Sequence, residues 1–588
     1  MNGKRFIALI AKDAVSRSAW ERANAEKLTD MPGFERLVAG NRLTLVTEIG
    51  AALRIDDQGF VVGTLFERNR STRVRSIEVE TSGAIIASHG DRLIRAYWGS
   101  YVAFLVPGHR DAIALIRSPL GDLPCYTMPS AFGLFAASDI DLLRRFAGFV
   151  PRIDWPQLAL HLAAPDLRRP RTCLTGLDER SGGDRLIDFA GRRTIEACWT
   201  PWDFVGADNR FRDPAEAAYR VRDAVNSSVA AQAGGYDKVL LRLSGGLDSS
   251  ILAAALTHGH ADFTAHTLVT RDRGGDERVH ARCVANHLDV ALVEIERDLN
   301  LVDIGASGAE GLPRPSARAF AQASSRIARD AARACGATVI FDGGGGDNLF
   351  ASLQSTAAVA DCLRADGGVG HFWETARSIG IAAYASTYKV ARGALIRAFT
   401  RGPAFRWPLD LNLLSDDGRQ MAASAADHPW LAPPPGALVG SAGHIALIAA
   451  AQSVVQSRDP RDPVPDISPL ISQPVAETCL RVPSWFWTRD GHNRVIARDA
   501  FRSALPQSII DRRDKGAPDS FMVELIDANL AVISVMLSEG LLARNGLLDR
   551  EAVSAALAPA ALAKGFGYIR IMQLVDVEAW VRSWGEGW

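Results

Sequence analysis

Cysteine, lysine, net charge and long apolar runs are all scarce in this sequence of 588 residues, and each scarcity excludes something. The seven cysteines, at 125, 173, 198, 283, 335, 362 and 479, are scattered, odd in number and form no C-x-x-C pair. That excludes a disulfide framework and a zinc ribbon, and fits a reducing compartment. The twelve histidines form no H-E-x-x-H or similar ligand spacing. His258 and His260 lie close together at the end of an expected helix, where they read as surface residues. No stretch has the ~18–20 consecutive apolar residues of a membrane span. The first apolar run, Phe6–Ala11, is too short for a signal peptide and fits a first strand. The expectation is a soluble, cytoplasmic protein. Basic residues number 66 and acidic residues 67, for a formal charge of −1. No global field gathers nucleic acid or holds the chain on an anionic membrane, although a local patch is compatible with that sum. Only seven lysines stand beside 59 arginines, so a lysine in a suggestive place is not drawn from a large pool.

What is present is ordinary globular composition, 47% hydrophobic and 23% charged, which argues against disorder and fibrous repeats. The length asks for two or three domains at ~100–200 residues each. The first two hundred residues read as β-rich, with strand-like runs at Phe6–Ile10, Leu43–Glu48, Ser76–Glu80, Ala84–Ser88, Tyr101–Val106 and Ala112–Arg117. Helical spacing follows from Pro214 to Gln232. From Lys238 short apolar strands alternate with Ala-rich helices, the pattern of a parallel α/β sheet. Beyond Leu349 the chain reads as mostly helical, with a break at Pro433–Pro435.

One motif carries chemistry. At the end of the strand Lys238–Leu243 sits Ser244-Gly245-Gly246-Leu247-Asp248-Ser249-Ser250, followed at once by a helix. A glycine turn there delivers backbone N–H groups, hydroxyls and a helix N-terminus to one point, which favours an anion. It is neither a Walker A loop, since no G-K-[S/T] follows, nor G-x-G-x-x-G. With no lysine in the loop, phosphate charge calls for a metal, and Asp248 is an oxygen ligand suited to Mg²⁺. A chance match at all seven positions is on the order of one in ten million per site.

This loop resembles the pyrophosphate loop of the ATP-pyrophosphatase enzymes, specifically the asparagine synthetase superfamily, whose members activate a carboxylate as an acyl-adenylate and then form an amide. Three further segments match in order. Asp276-Glu277-x3-Ala281-Arg282-x-Val284-Ala285 resembles the acidic helix start after the second strand, where helix capping and nucleotide contact are both open. Asp342-Gly-Gly-Gly-Gly-Asp347-Asn348-Leu349-Phe350 resembles the second glycine loop, whose aspartate completes the Mg²⁺ site. Leu505-Pro506 followed by Arg513-x-Lys515-Gly516 resembles the segment whose lysine reaches the reacting centre. The resemblance implies ATP and Mg²⁺ as cofactors. Leu243, Ser244, Gly245, Gly246, Leu247, Asp248, Ser249, Ser250, Leu268, Asp342, Gly343 and Gly344 would bind the nucleotide. Asp248 and Asp347 would hold the metal, and Lys515 would act in catalysis beside these two carboxylates.

The position after the initiator methionine, a cysteine nucleophile in glutamine-using asparagine synthetases, is Asn2, which cannot act as a thiolate. Yet Leu115-Ile-Arg117-Ser-Pro-Leu-Gly121-Asp-Leu-Pro124-Cys-Tyr126 and Phe135-Ala-Ala-Ser138-Asp139 are similar to segments of the glutaminase fold. The fold implied is an α+β N-terminal domain over 1–207, a glutaminase-like Ntn-type β-sandwich without its nucleophile. An α/β ATP-pyrophosphatase synthetase domain with a helical C-terminal part follows over 208–588.

With glutamine excluded as nitrogen donor, the amine comes from the substrate, as in β-lactam synthetases and lasso peptide cyclases. The segments Tyr97–Phe104, His428–Leu431 with Gly443-His444-Ile445, and Ser468–Glu477 resemble the cyclases, and so does the four-glycine second loop. A glycine at Gly344 would leave space for a bulky peptide. The implied activity is macrolactam formation in a precursor peptide. An Asp or Glu side chain is adenylated and joined to the N-terminal amine, and a leader-binding peptidase acts as partner, without nucleic acid or membrane. The alternatives are an amide ligase acting on a small amino acid, and a non-catalytic module that holds a leader or nucleotide.

Overall fold

The computed structural model describes residues 4–68, 72–107, 112–270, 275–316, 318–352, 355–365, 368–400, 402–423, 428–513, 519–559 and 567–585. Residues before 198 form two six-stranded sheets. In the first, Phe6–Ala11 lies between Leu43–Glu48 and Gly133–Ala137, antiparallel to both. In the second, the long pair Gly59–Glu67 and Tyr97–Leu105 is followed by Ala112–Arg117. Side chains alternate along each strand. Phe6, Ala8 and Ile10 therefore meet Phe60, Val62, Val102 and Phe104 in a core between the sheets. Ile7, Leu9 and Ala11 face the other way, into a cluster with Trp20 and Phe146 from covering helices. Ile85, Leu93 and Ile94 cover the outer face of the second sheet, so the layers run helix, sheet, sheet, helix.

One stretch read as β differs. Residues 76–88 hold no strand; Val79–Ala87 is a helix that buries Ser82 and Ile85, one turn apart. A short apolar run has no length over which a period of two can be told from a period of 3.6.

The second half is built on a five-stranded parallel sheet in the order Leu292–Glu296, Phe263–Val269, Val239–Arg242, Val339–Phe341, Asp466–Ile467. Chain order reverses between Val239–Arg242 and Val339–Phe341. That reversal opens a crevice at the C-terminal strand ends, where ligands of open α/β sheets bind. Helices follow, among them Val439–Val455, which is buried almost throughout. Among the described residues one helix, Ser520–Arg544, is long and apolar enough to cross a membrane by length and composition, with a mean hydropathy of 1.7. Leu525, Ile526, Ile533, Met536 and Leu537 on it lie in a core cluster shared with the first sheet.

The halves are joined by charge as well as apolar contact. Glu179 is 2% exposed and takes Arg117, Arg168 and Arg314 around its carboxylate. Burial opposes its charge, but the three guanidinium groups outweigh this and lower its pKa to about 2.

Candidate active site

The motif strand ends at Arg242, and Leu247–His258 begins after a turn at Gly245, whose φ is +68°. A Cβ at Gly245 would lie 2.5 Å from the carbonyl carbon of His280, so both backbone angle and space demand glycine. Ser244 and Ser249 knit the turn together: the Gly246 amide donates to Ser244 Oγ at 3.2 Å and the Ser244 amide to Ser249 Oγ at 3.3 Å. Ser250 Oγ turns back to the Gly246 carbonyl at 2.8 Å.

The second glycine loop lies directly against the first. A Cβ on Gly343 would sit 2.8 Å from the Ser249 amide nitrogen, and one on Gly346 would sit 2.5 Å from Asp248 Cγ. These glycines allow the two loops to touch. Gly344 is not open space for a substrate, as the sequence reading had it: a Cβ there would meet Asp342 Oδ1 at 2.8 Å and Ser468 Oγ at 2.9 Å. Two hydrogen bonds between this loop and the helix Val439–Val455 fix it in place. His444 Nε2 lies 2.8 Å from the Leu349 carbonyl, and Asn348 Nδ2 donates to the Leu447 carbonyl at 2.9 Å.

Together the loops line a cleft of about 350 Å³. Leu243, Ser244, Gly246, Leu247, Asp248, Ser249, Leu268, Asp342, Gly343, Gly344 and Asp347 border it; Gly245 and Ser250 are not among its lining residues. Asp248 and Asp347 face one point, because a single nitrogen of Arg494 lies 3.2 Å from each Asp248 oxygen and also against Asp347. Arg494 itself has the left-handed φ of +55° at the start of Val495–Phe501, an uncommon angle for a side-chain-bearing residue. Arg512 bridges Glu277, at 2.9 Å, to the Gly245 carbonyl, at 3.0 Å, while Asp276 pairs with Arg278. Lys515 and Asn2 lie outside the described residues.

Sequence reasoning missed a polar row across the strand ends. Register pairs Arg242 with His266, and Asp342 and Ser468 each follow a paired strand end. Arg242 binds Asp466 at 2.7 Å, and Arg458 binds Asp342 at 2.9 Å and the Asp466 carbonyl at 2.6 Å. Burial works against the Asp342 carboxylate, but Arg458, then Arg242 and the Ser468 hydroxyl, hold its pKa below the usual range. Asp466, at the far side of the row, is pushed up by burial. This row divides the cleft from a second one of about 730 Å³, bordered by Lys4, Glu48, Asp122, Arg326, Arg458 and Asp466.

His266 is 1% exposed and lines the first cleft with both ring nitrogens unpartnered; burial, then Arg242, lowers its pKa to about 4. Arg297 lines the same cleft, with Nε and Nη1 also unpartnered. The absence of lysine from the loop therefore does not leave a metal as the sole counter-charge: Arg242, Arg297, Arg494, Arg512 and Arg513 all border the cleft. Only the strand register, which no local pattern reveals, could have pointed to His266.

Residues 220–395 and 467–582, just under half of the chain, match the family model for asparagine synthase. Over these segments the parallel-sheet half is similar to the asparagine synthase family. That family is one of ATP-dependent amide-forming ligases, and both glycine loops, Arg494 and Arg512 fall inside the matched segments. Arg458 and Asp466 fall between them. No curated protein matches the chain. Among solved structures, one described as the allosteric regulatory enzyme of purine biosynthesis is 10% identical over 53% of this chain and 78% of its own, with a TM-score of 0.20. A likeness at that level carries neither fold nor function across.

Proposed function

We propose that the chain closes a macrolactam in a peptide at the expense of ATP. A side-chain carboxylate oxygen of the peptide attacks the α-phosphorus, and pyrophosphate leaves. The peptide's own N-terminal amine then attacks the acyl carbon, and AMP leaves with the adenylate oxygen. The observation that carries the ATP half is the convergence of Asp248 and Asp347 on one point between two glycine loops at the reversal of strand order.

Two carboxylates suit Mg²⁺, which takes one or two from protein and fills its other positions with phosphate oxygens and water. Among the described residues no cluster of three or more metal-binding side chains competes with that arrangement. When bound, the ion would neutralise phosphate charge and polarise the attacked phosphorus. Backbone N–H groups of Leu247 to Ser249, in the first turn of the helix, orient the leaving pyrophosphate. Lys515 stabilises negative charge on the reacting group.

Two observations support a peptide over a free amino acid. The second cleft, larger than the first and divided from it only by the Arg242, Asp466, Arg458 and Asp342 row, gives room beside the adenylation site. The cyclase-like segments also act here: Ser468 donates to Asp342 at 2.5 Å, and His444 anchors the second loop. Holding amine and acyl group in one molecule brings the rate advantage of an intramolecular reaction.

The test is incubation of the full chain with Mg-ATP and candidate precursor peptides. The expected product is one water lighter than the peptide, with AMP and pyrophosphate in equal amount. Asp248→Asn should abolish it, and Lys515→Met should lower kcat by ~10²–10³-fold without changing thermal unfolding. AMP formed only with a free amino acid would overturn the peptide reading.

A further inference from the structure

The densest exposed apolar surface lies far along the chain from the glycine loops, on the hairpin of helices Gly368–Ala382 and Thr387–Thr400. Its inner side is an ordinary small core, with Phe372, Ala376, Ile379, Val390, Ala394 and Ala398 packed against the Thr356–Arg364 helix. The outer side of Thr387–Thr400 is what needs an explanation. Tyr388 is 75% exposed, Leu395 44%, Ile396 45% and Phe399 78%, and Tyr384 in the connecting turn is 99% exposed.

Helical geometry gathers these residues. At 3.6 residues per turn, positions 388, 392, 395 and 399 fall on one narrow stripe, with 389 and 396 at its flank. Lys389 and Arg392 are exposed and have no ion pair among the described residues. From Thr375 to Leu409 the sequence has six basic residues, at 377, 389, 392, 397, 401 and 406, and no Asp or Glu. Arg377 is paired with Asp490 at 2.9 Å, so on this face the excess of cation rests on Lys389 and Arg392, interleaved with aromatic and aliphatic side chains.

We propose that this face docks on an anionic lipid surface. Leu395, Ile396 and Phe399 enter the headgroup region, Tyr384 and Tyr388 sit at its edge, and Lys389 and Arg392 meet lipid phosphates. Charge complementarity fixes the sign of the partner. The face is the outer side of a helix and borders neither the 350 Å³ nor the 730 Å³ cleft, which favours a flat lipid surface over a bound peptide.

The experiment is co-sedimentation of the full chain with phosphatidylcholine vesicles, with and without phosphatidylglycerol. Binding is expected only with the anionic lipid and is expected to fall steeply with added salt. Leu395→Ser with Phe399→Ser should weaken it about tenfold or more. Arg392→Glu should do the same and Arg392→Lys should retain binding, all with unchanged thermal unfolding. Val535→Ser, at an exposed valine of the Asp519–Glu539 helix, should change nothing. Equal binding to neutral vesicles, no vesicle binding at all, or binding indifferent to the Leu395 and Phe399 changes would overturn the proposal. Capture of an acidic protein in place of vesicles would overturn it too. Cyclisation of a soluble peptide is measured separately, so failure here leaves the proposed reaction untouched.

Discussion

Gly343→Ala would force the two glycine loops apart. The added Cβ would stand 2.8 Å from the Ser249 nitrogen, 3.1 Å from the Asp248 carbonyl carbon and 3.2 Å from Ser249 Cα. Comfortable contact is ~3.5–4.0 Å, so the shortfall is about 0.7 Å against the nearest atom. All three atoms are backbone at the start of Leu247–His258, a helix whose first four residues are buried, so rotating a side chain relieves nothing. The loops must part by several tenths of an ångström. Overpacking of this kind costs ~1–3 kcal/mol. Misplacing reactive groups by ~1 Å costs on the order of 10² in rate, so a loss of ~10–10²-fold is expected, because Asp248 and Asp347 ride on the separated loops. The assay is pyrophosphate release under Mg-ATP saturation, alongside thermal unfolding. Gly370→Ala is the control: nothing lies within 4 Å of its added Cβ, and it sits in a helix where alanine is favoured. Wild-type rate and wild-type unfolding in Gly343→Ala would refute the packing argument.

Arg494→Met removes the cation that Asp248 and Asp347 share, and should tighten nucleotide-free Mn²⁺ binding, read by electron paramagnetic resonance, by about tenfold or more. An unchanged Mn²⁺ affinity would show that the arginine does not shield the carboxylates. Glu179→Gln leaves Arg117, Arg168 and Arg314 buried around a neutral group, a loss of ~3–5 kcal/mol. Because the folded-state pKa of Glu179 is lowered, to about 2, its contribution is complete above the ordinary glutamate range and fades as pH falls towards 2. The gap between wild type and variant in chemical denaturation should therefore be full at pH 7 and shrink below about pH 4.5. A constant gap across that window would contradict the assignment.

The parts of the site that could be read from sequence are those encoded by short contiguous runs. Ser244–Ser250 and Asp342–Phe350 each carry their geometry in consecutive residues, and alternating strands and helices place both at the same sheet edge. The Arg242, Asp466, Arg458 and Asp342 row is assembled from four separate segments, so no spacing announces it. His266 looks like any strand residue until register sets it beside Arg242. Arg494 is one of 59 arginines, and only the fold singles it out. Gly344 was read for the space it leaves, whereas Asp342 and Ser468 already fill that space. In the first half, the helix Val79–Ala87 was read as strand because Ile85 and Ile86 are β-prone and the stretch is short.

The apolar clusters that cross from one half of the chain to the other set a limit on where it can be cut. Val221, Val225 and Val229 share a cluster with Ile94, Tyr97 and Tyr101, and Ile533 and Trp580 share another with Ile7 and Leu9. Cutting away the N-terminal half would hand those faces to water. The second half therefore depends on the first for the cover of its own apolar faces, and a chain cut near residue 200 would expose both clusters at once.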